Sequence, residues 1–220
     1  MNGARVFPVR RSSLVAAQYF SVSATRLILA SASPRRRELL YEAGYDFEVH
    51  PADIDEDNYP STMLPADLAE RLAVLKAQAV AARFPDAMIL AADTVVAFGD
   101  KPIGKADNAD HARQILQLLS GTTHLIITGI AIKSQNLNLA KSARVMSAVR
   151  MKMLSDQEID KYVQSGQWEG KAGAYGIQDG MVDPFIVRMT GSKTNIVGLP
   201  MEAVKRMLTS YGVEPVRDRS

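Results

Sequence analysis

Short apolar runs alternate with amphipathic segments along the chain, and this pattern predicts an α/β domain. The apolar runs at 27–30 and 87–92 are typical of strands that are buried on both faces. Apolar residues at helical spacing predict a helix over 66–84, and a capping box beginning at Ser155 predicts another to about Gln164. Further strands are expected at 46–50, 124–133, 140–153, 185–189 and 194–197, and further helices from Pro34 to Gly44, Asp107 to Gly121 and Pro200 to Gly212.

The first strand leads through a short turn into a helix that begins with three arginines. Ser33 is a good N-cap, and Pro34 suits the first helical position because its missing N–H costs nothing there. Arg35, Arg36 and Arg37 then occupy the first turn, where the helix already carries positive partial charge. Guanidinium groups are expected at this position if an anion binds above them, which indicates a phosphate-binding corner. The alternative is a solvated helix face.

The apolar strand at 87–92 ends in Asp93, which is a candidate catalytic carboxylate. Side chains at the ends of such strands point into the crevice where α/β proteins bind their ligands. A helix-capping aspartate would be the other explanation. Because Val95 and Val96 continue the β pattern, no helix follows directly for Asp93 to cap, and the pattern favours catalysis.

Three further features are compatible with a phosphorylated ligand and also with ordinary surface positions. The acidic segment 51–60 offers carboxylates for a divalent cation, or is a solvated loop. Lys76 lies on the flank of the helical apolar stripe and could extend towards a cleft. Lys105, in the loop before the next helix, could contact a phosphate.

The glycine-rich segment 166–180 brings Lys171, Tyr175 and Gln178 into one loop. A cation, an aromatic ring and an amide would suit a base or sugar that is held by stacking and by hydrogen bonds. A plain glycine-rich surface loop is the alternative.

Composition narrows the class of protein. The chain has 220 residues, of which 47% are hydrophobic, which is enough for one large domain or two lobes. Its net charge of only +2 argues against a general nucleic-acid binder, and no apolar run is long enough to span a bilayer. The chain contains no cysteine, and its three histidines lack metal-ligand spacing.

The first 25 residues differ from the rest of the chain. They contain Arg5, Arg10 and Arg11 and no acidic residue, which resembles a transit peptide in composition. A disordered extension, or a start codon upstream of the true domain, is the alternative that we favour. The domain is therefore expected over 26–214.

The motifs for common nucleotide-binding loops are absent: there is no GxxxxGK[ST], and no GxGxxG follows a strand. The cations and carboxylates described above instead fit a small phosphorylated ligand. Arginine and lysine would meet its charge, while the carboxylates hold a divalent metal or activate water.

Five motifs in order resemble the Maf family of nucleoside triphosphate pyrophosphatases. They are SASPRR at 31–36, AADTVV at 91–96, TGIAI at 128–132, KAGAYGIQ at 171–178 and VGLP at 197–200. The resemblance implies an elongated mixed sheet flanked by helices, with two lobes and a central cleft. AGAYGIQ is similar to the dTTP/UTP branch, which implies hydrolysis of the α–β phosphoanhydride of dTTP and UTP, and the clearing of modified nucleotides as a further role. The alternatives are 7-methyl-GTP hydrolysis and a non-catalytic nucleotide-binding regulator of cell division.

The resemblance also implies roles for individual residues. Asp93 would be the catalytic acid-base residue or a metal ligand, and Glu56 would support a divalent cation, Mg²⁺ or Mn²⁺. A cytoplasmic homodimer is implied, with neither nucleic acid nor membrane as a partner. The residues expected to bind substrate or set its specificity are Arg35, Thr94, Gln178, Arg36, Ser33, Lys76 and Lys105.

Overall fold

The computed structural model describes residues 25–177 and 183–216. The strands are β1 (Leu27–Leu29), β2 (Glu48–Val49), β3 (Met88–Phe98), β4 (Lys101–Ile103), β5 (Thr123–Ser134), β6 (Leu139–Met151) and β7 (Ile186–Thr190). The helices are α1 (Pro34–Glu42), α2 (Pro65–Ala81), α3 (Ala109–Leu119), α4 (Asp156–Gln164), α5 (Lys193–Val197) and α6 (Met201–Thr209), with a 3₁₀ turn at Asp183–Phe185. Apart from Thr25, the expected N-terminal extension lies outside the described residues.

One seven-stranded mixed sheet forms the centre of the fold. Its strand order is β2-β1-β3-β5-β6-β7, and β4 pairs with β3 beside this path. β1 is parallel to both of its neighbours, whereas β5 pairs antiparallel with β3 on one side and with β6 on the other. Strands β3, β5 and β6 are 11, 12 and 13 residues long. These long strands contribute residues to two separate hydrophobic cores, and the expected elongated mixed sheet flanked by helices is confirmed.

The long strands carry separate hydrophobic cores at their two ends. Helices α3 and α4 cover one end, where Leu116 and Tyr162 pack against Val149. At the other end α1 and α6 lie on one face of the sheet, with Leu40 and Val204 buried, and α2 lies on the opposite face. A cleft opens between these two lobes, as expected. Within the described residues, no helix is both long enough and apolar enough to cross a membrane.

Helix α2 approaches the sheet closely at Gly129 of β5. A Cβ atom built at Gly129 would lie 2.2 Å from the carbonyl oxygen of Ala69, so only glycine fits beneath the helix. Since Lys76 lies two turns further along α2, this contact also sets how far Lys76 stands from the sheet. The glycine of the TGIAI motif therefore helps to position a charged residue.

The prediction of a strand at 194–197 is wrong, because this segment forms the short helix α5. The Ser192 side chain accepts a hydrogen bond from the Asn195 N–H, and Gly198 ends the helix with a φ of 118°. Asn195 is fully buried and its amide donates to the Ile126 carbonyl oxygen, 3.0 Å away. Side-chain capping and a buried polar contact therefore outweigh the β propensity of Ile196 and Val197.

The remaining differences concern element ends. Asn108 rather than Asp107 is the N-cap of α3, since its side chain accepts from the His111 N–H. β2 has only two residues, and the hairpin strand β4 was not predicted. The Ser33 cap of α1 and the capping box of α4 are confirmed.

Candidate active site

The cleft between the lobes has a volume of about 690 Å³. Every site residue predicted from the sequence lines it, except one that the structure does not describe. Gln178 lies outside the described residues, although the preceding Gly176 and Ile177 line the cleft. The predicted residues in its wall are Ser33, Arg35, Arg36, Glu56, Lys76, Asp93, Thr94 and Lys105.

The three arginines at the start of α1 point in different directions. Arg35 lines the cleft, Arg36 reaches beneath it, and Arg37 is exposed on the opposite side of Pro34, outside the cleft. Successive helical residues are rotated by about 100°, so three in a row cannot face one anion. In the described part of the chain, Arg35 has no salt-bridge partner. Arg35 is therefore the arginine whose charge is available to a ligand.

Arg36 ties the start of α1 to two distant segments of the chain, around Ala92 and Gly198. Its Nε donates to the Gly198 carbonyl oxygen at 2.8 Å, and Nη1 donates to the Ala92 carbonyl oxygen at 2.8 Å and the Ser31 hydroxyl at 3.1 Å. Its Nη2 donates to the Thr94 hydroxyl at 3.1 Å. Burial lowers the pKa of Arg36, and the nearby Asp93 charge opposes that shift. Since a guanidinium has five donors, at most one remains for a phosphate.

On the opposite face of β3, Asp93 is paired with Lys76. Both residues are 7% exposed, and Lys76 Nζ lies 2.5 Å from Asp93 Oδ1. Lys76 Nζ also lies 2.7 Å from Glu56 Oε1, and Lys105 Nζ lies 3.3 Å from Glu56 Oε2. We call this row of alternating charges, Lys105–Glu56–Lys76–Asp93, the ion-pair chain. It confirms that Lys76 extends from α2 into the cleft.

Glu56 is the member of the acidic loop that turns inwards. Ile54, two residues earlier, packs on α2, whereas Asp53, Asp55 and Asp57 are exposed. Burial alone would raise the pKa of Glu56, but hydrogen bonding and charge from Lys76, and then from Lys105, hold it below its usual value. Glu56 is therefore anionic at neutral pH.

The cleft as a whole is electropositive. Among the described residues that line it, the charged side chains leave a formal excess of two positive charges. Such a field attracts anions, and a low-dielectric wall strengthens it. The cationic side chains are Arg35, Arg36, Lys76, Lys105 and Lys171, and the anionic ones are Glu56, Asp93 and Glu169.

Asp93 and Glu56 are the carboxylates that could hold a divalent cation. The described residues contain no group of three or more histidine, cysteine or acidic side chains that could bind a metal by themselves. Mg²⁺ commonly uses one or two carboxylates together with substrate phosphates and water. The donor set therefore fits a cation that arrives with a polyphosphate, rather than one in a cage of protein ligands.

Thr94 belongs to a hydrogen-bonded network below the cleft. Its hydroxyl lies 2.9 Å from the Thr128 hydroxyl, and Thr128 donates to the Asn195 carbonyl oxygen at 3.2 Å. With the bond from Arg36, these contacts tie β3 and β5 to α5. The specificity role of Thr94 stays a prediction.

Tyr175 is mostly buried and does not form the exposed stacking platform that the sequence suggested. The ring is 6% exposed, and its hydroxyl lies 2.5 Å from His124 Nε2 inside the core under α3 and α4. With its small exposed part Tyr175 still lines the cleft, beside its neighbours Ala172 and Ile177. An aromatic residue among glycines is equally compatible with burial and with exposure, so the local pattern could not decide between them.

Several cleft residues were missed in the sequence. Ser31 binds Arg36, and Glu169, Ile196 and Gly198 line the wall. Ser31 and Gly198 lie in the SASPRR and VGLP motifs, and Glu169 lies in the glycine-rich segment, but no local pattern assigned these residues a contact, because they meet the site through segments distant in sequence.

Comparisons with known proteins identify relatives of this chain. The chain is 45% identical over 196 residues to the dTTP/UTP pyrophosphatase of Rhizobium etli, covering 86% of this chain and 94% of that protein. It is 45% identical over 190 residues to the Caulobacter vibrioides protein of the same name, covering 86% and 97%. A solved structure, the Ham1 protein of Staphylococcus aureus, aligns with a TM-score of 0.43 and 15% identity over 58% of this chain and 72% of that one.

A family description also matches the whole folded region. The sequence model for "Maf-like protein" covers residues 26–211, which include every described strand and helix. Together with relatives of about 45% identity that are covered almost completely, this match establishes the family. The chain belongs to the Maf family.

Proposed function

We propose that this protein hydrolyses dTTP and UTP between the α- and β-phosphates, releasing the nucleoside monophosphate and pyrophosphate. The observation that carries the proposal is the electropositive cleft in which Arg35 and Lys105 stand beside a buried aspartate. Relatives that are about 45% identical over most of both chains are named dTTP/UTP pyrophosphatases, which supports the choice of substrate.

In this proposal the triphosphate binds between α1 and the loop that carries Lys105. The N-terminus of α1 opens on the cleft at Ser33, Pro34 and Arg35, so the helix dipole and the Arg35 guanidinium favour the same anion. Lys105 approaches from the other lobe. Because its contact with Glu56 is long and exposed, Lys105 can exchange that partner for a phosphate at little cost.

Asp93 accepts the proton of the attacking water. Lys76 holds Asp93 Oδ1, so we assign Oδ2 as the proton acceptor. The water oxygen bonds to the α-phosphorus, the bond from that phosphorus to the α–β bridging oxygen breaks, and pyrophosphate leaves. Lys76 keeps the carboxylate in place through its second bond, to Glu56.

Mg²⁺ or Mn²⁺ is proposed as the cofactor, held by Asp93 and Glu56 with the substrate phosphates. When bound, it neutralises negative charge that develops on the leaving group. In that arrangement Asp93 is a metal ligand as well as, or instead of, the proton acceptor. Substrate specificity is assigned to Arg35, Thr94 and Gln178, and of these the Gln178 amide reads the O4/N3 edge of a pyrimidine. A cytoplasmic homodimer and the clearing of modified nucleotides complete the proposal.

The direct test is pyrophosphate release from a panel of nucleotides with Mg²⁺. We expect dTTP and UTP to be the best substrates, and CTP, GTP, ATP and 7-methyl-GTP to be poorer. Faster turnover of 7-methyl-GTP would assign the chain to the alternative substrate. Measurable binding of dTTP with unaltered nucleotide after long incubation would favour a regulator without catalytic activity.

A further inference from the structure

A buried histidine and tyrosine form a polar pair that the proposed reaction does not use. His124 of β5 is 1% exposed, and its Nε2 lies 2.5 Å from the Tyr175 hydroxyl. The two rings meet edge to face, with centroids 5.6 Å apart and an interplanar angle of 85°. Their surroundings are otherwise apolar, with Leu116, Val149 and Phe185 in the same core.

Burying this pair costs more free energy than burying apolar side chains of similar size. Within the described residues, His124 Nδ1 is buried without a hydrogen-bond partner, which costs about 1–3 kcal/mol. Burial lowers the pKa of His124 to about 4 and raises the pKa of Tyr175, so both side chains are neutral at physiological pH. An apolar side chain would avoid that cost, which indicates that the directional bond itself is used.

The bond anchors one end of a loop whose other side forms the cleft. Residues 169–177, which we call the cleft loop, bridge to the Lys105 segment through an antiparallel pair, Lys105 with Ala172. The Gly173 N–H donates to the Gly104 carbonyl oxygen at 3.0 Å. Ala174 then has a φ of 56°, a left-handed conformation that costs a non-glycine residue about 1 kcal/mol or more.

After the strained turn the Tyr175 hydroxyl reaches His124 in the core, while the small exposed part of Tyr175 lines the cleft with Gly176 and Ile177. Other conformations of Ala174 are intrinsically more stable, so some tertiary contact must select this one. The hydrogen bond between Tyr175 and His124 is the directional contact immediately after the turn.

We propose that His124 is a positioning residue for substrate recognition: through Tyr175 it fixes the register of the cleft loop, and so the wall that meets the nucleobase. The inference rests on the proposed function, because the nucleobase is assigned to this side of the cleft. The side chain acts through Tyr175 and does not touch the substrate.

The test compares Tyr175→Phe and His124→Phe with wild type in steady-state hydrolysis of dTTP and UTP. Each variant should raise KM about 3- to 10-fold while kcat stays within about twofold, and the preference for dTTP over GTP should fall. The double variant should be no worse than either single one, since both remove the same bond. His124→Gln retains a polar group near the position of Nε2, so its KM should lie between those of His124→Phe and wild type.

Tyr45→Phe is the matched control. Tyr45 is 1% exposed in the other lobe, and within the described residues its buried hydroxyl has no partner, so KM and kcat should not change. Hydrogen exchange supplies a second measurement that does not depend on turnover. Backbone amides of 169–177 should exchange faster in Tyr175→Phe, while those of β5 should not.

Two failures are distinguishable. Wild-type protein that does not hydrolyse dTTP or UTP overturns the proposed function. Wild-type protein that does so, with unchanged KM, nucleotide preference and loop exchange in Tyr175→Phe, overturns this inference. A fall in melting temperature alone would mean that the pair serves only the stability of the core.

Discussion

Charged side chains on the two faces of β3 have different kinds of partner: other side chains beside Asp93, and mainly backbone carbonyl oxygens beside Thr94. On one face Asp93 joins the ion-pair chain, in which every contact is between side chains. On the other face Thr94 meets Arg36, whose shortest hydrogen bonds go to the carbonyl oxygens of Ala92 and Gly198. Alternation of side chains along a strand separates the two systems by a single residue.

This difference separates the ion-pair chain, whose contacts can rearrange, from the bonds of Arg36, which hold the cleft together. Side-chain ion pairs can exchange partners with a phosphate or a cation without moving the backbone. Arg36 bonds to Ala92, which is 56 residues away in sequence, and to Gly198, which is 162 residues away. Breaking these bonds would loosen the cleft itself. We therefore expect changes in the ion-pair chain to affect catalysis, and changes at Arg36 to affect stability.

The largest effect on the catalytic side is expected for Asp93→Asn. This change keeps the shape of the side chain and removes the proton acceptor, so kcat for dTTP should fall about 10²- to 10⁴-fold. Lys76 retains Glu56 as a partner, so thermal unfolding should change little. The kcat for dTTP checks the expected loss of activity, and the melting temperature checks the expected lack of change in stability. A variant with full activity would refute the role given to Asp93.

The largest effect on the structural side is expected for Arg36→Met. Removing the guanidinium leaves buried carbonyl oxygens without donors, which should lower the free energy of unfolding by about 3 kcal/mol. For a domain of this size the melting temperature should fall by about 6–12 °C. Urea titration gives the free energy directly.

Arg35→Met is the control for that experiment, since Arg35 is its neighbour in α1 but lines the cleft. It should alter stability by no more than about 0.5 kcal/mol and raise KM for dTTP. If Arg35→Met were the more destabilising of the two, the division between the faces of β3 would be wrong.

Gly129→Ala tests whether backbone packing sets the position of the ion-pair chain. The added Cβ would overlap the Ala69 carbonyl group, so α2 must shift, at a cost of about 1–3 kcal/mol. Because Lys76 moves with α2, kcat should also fall. Gly99→Ala is a useful comparison, since its Cβ would meet nothing within 4 Å but its φ of 60° adds backbone strain. Loss of activity in both variants alike would argue against a specific effect on Lys76.

The smallest effect is expected for the pH dependence contributed by Glu56. Its pKa is lower in the folded protein than in the unfolded chain, so its ionised form stabilises the fold above the unfolded value of about 4.3. This stabilisation is lost as pH falls through the folded pKa. Glu56→Gln should therefore melt slightly below wild type at pH 7, and the difference should shrink as pH falls below about 4. A difference that grows on acidification would contradict the assigned direction.

Much of the site could be predicted because its parts have local signals. A serine before a proline predicts a helix start, and a carboxylate after a buried apolar strand predicts a crevice residue. Together with the family motifs, these signals placed Arg35, Asp93 and Lys105 in a cleft that the structure confirms.

Local signals failed where contacts between distant segments decide the structure. The sequence around 194–197 favours a strand, but the burial of Asn195 against Ile126 selects a helix. The run of arginines looks uniform, yet helical rotation and the carbonyl oxygen of Gly198 give Arg36 a structural role in addition to any contact with phosphate.

By itself, then, the sequence determined most of the strands and helices, the caps at Ser33 and Ser155, the family and the chemical types of the site residues. All of these follow from short-range periodicity, backbone hydrogen bonding and motif identity. The tertiary structure alone decided that Lys76 joins Asp93 to Glu56, that Arg36 holds the floor of the cleft, and that Tyr175 lies inside the core. These pairings depend on which segments the sheet brings together, because a buried charged group is stabilised only where such a segment supplies a hydrogen-bonding partner.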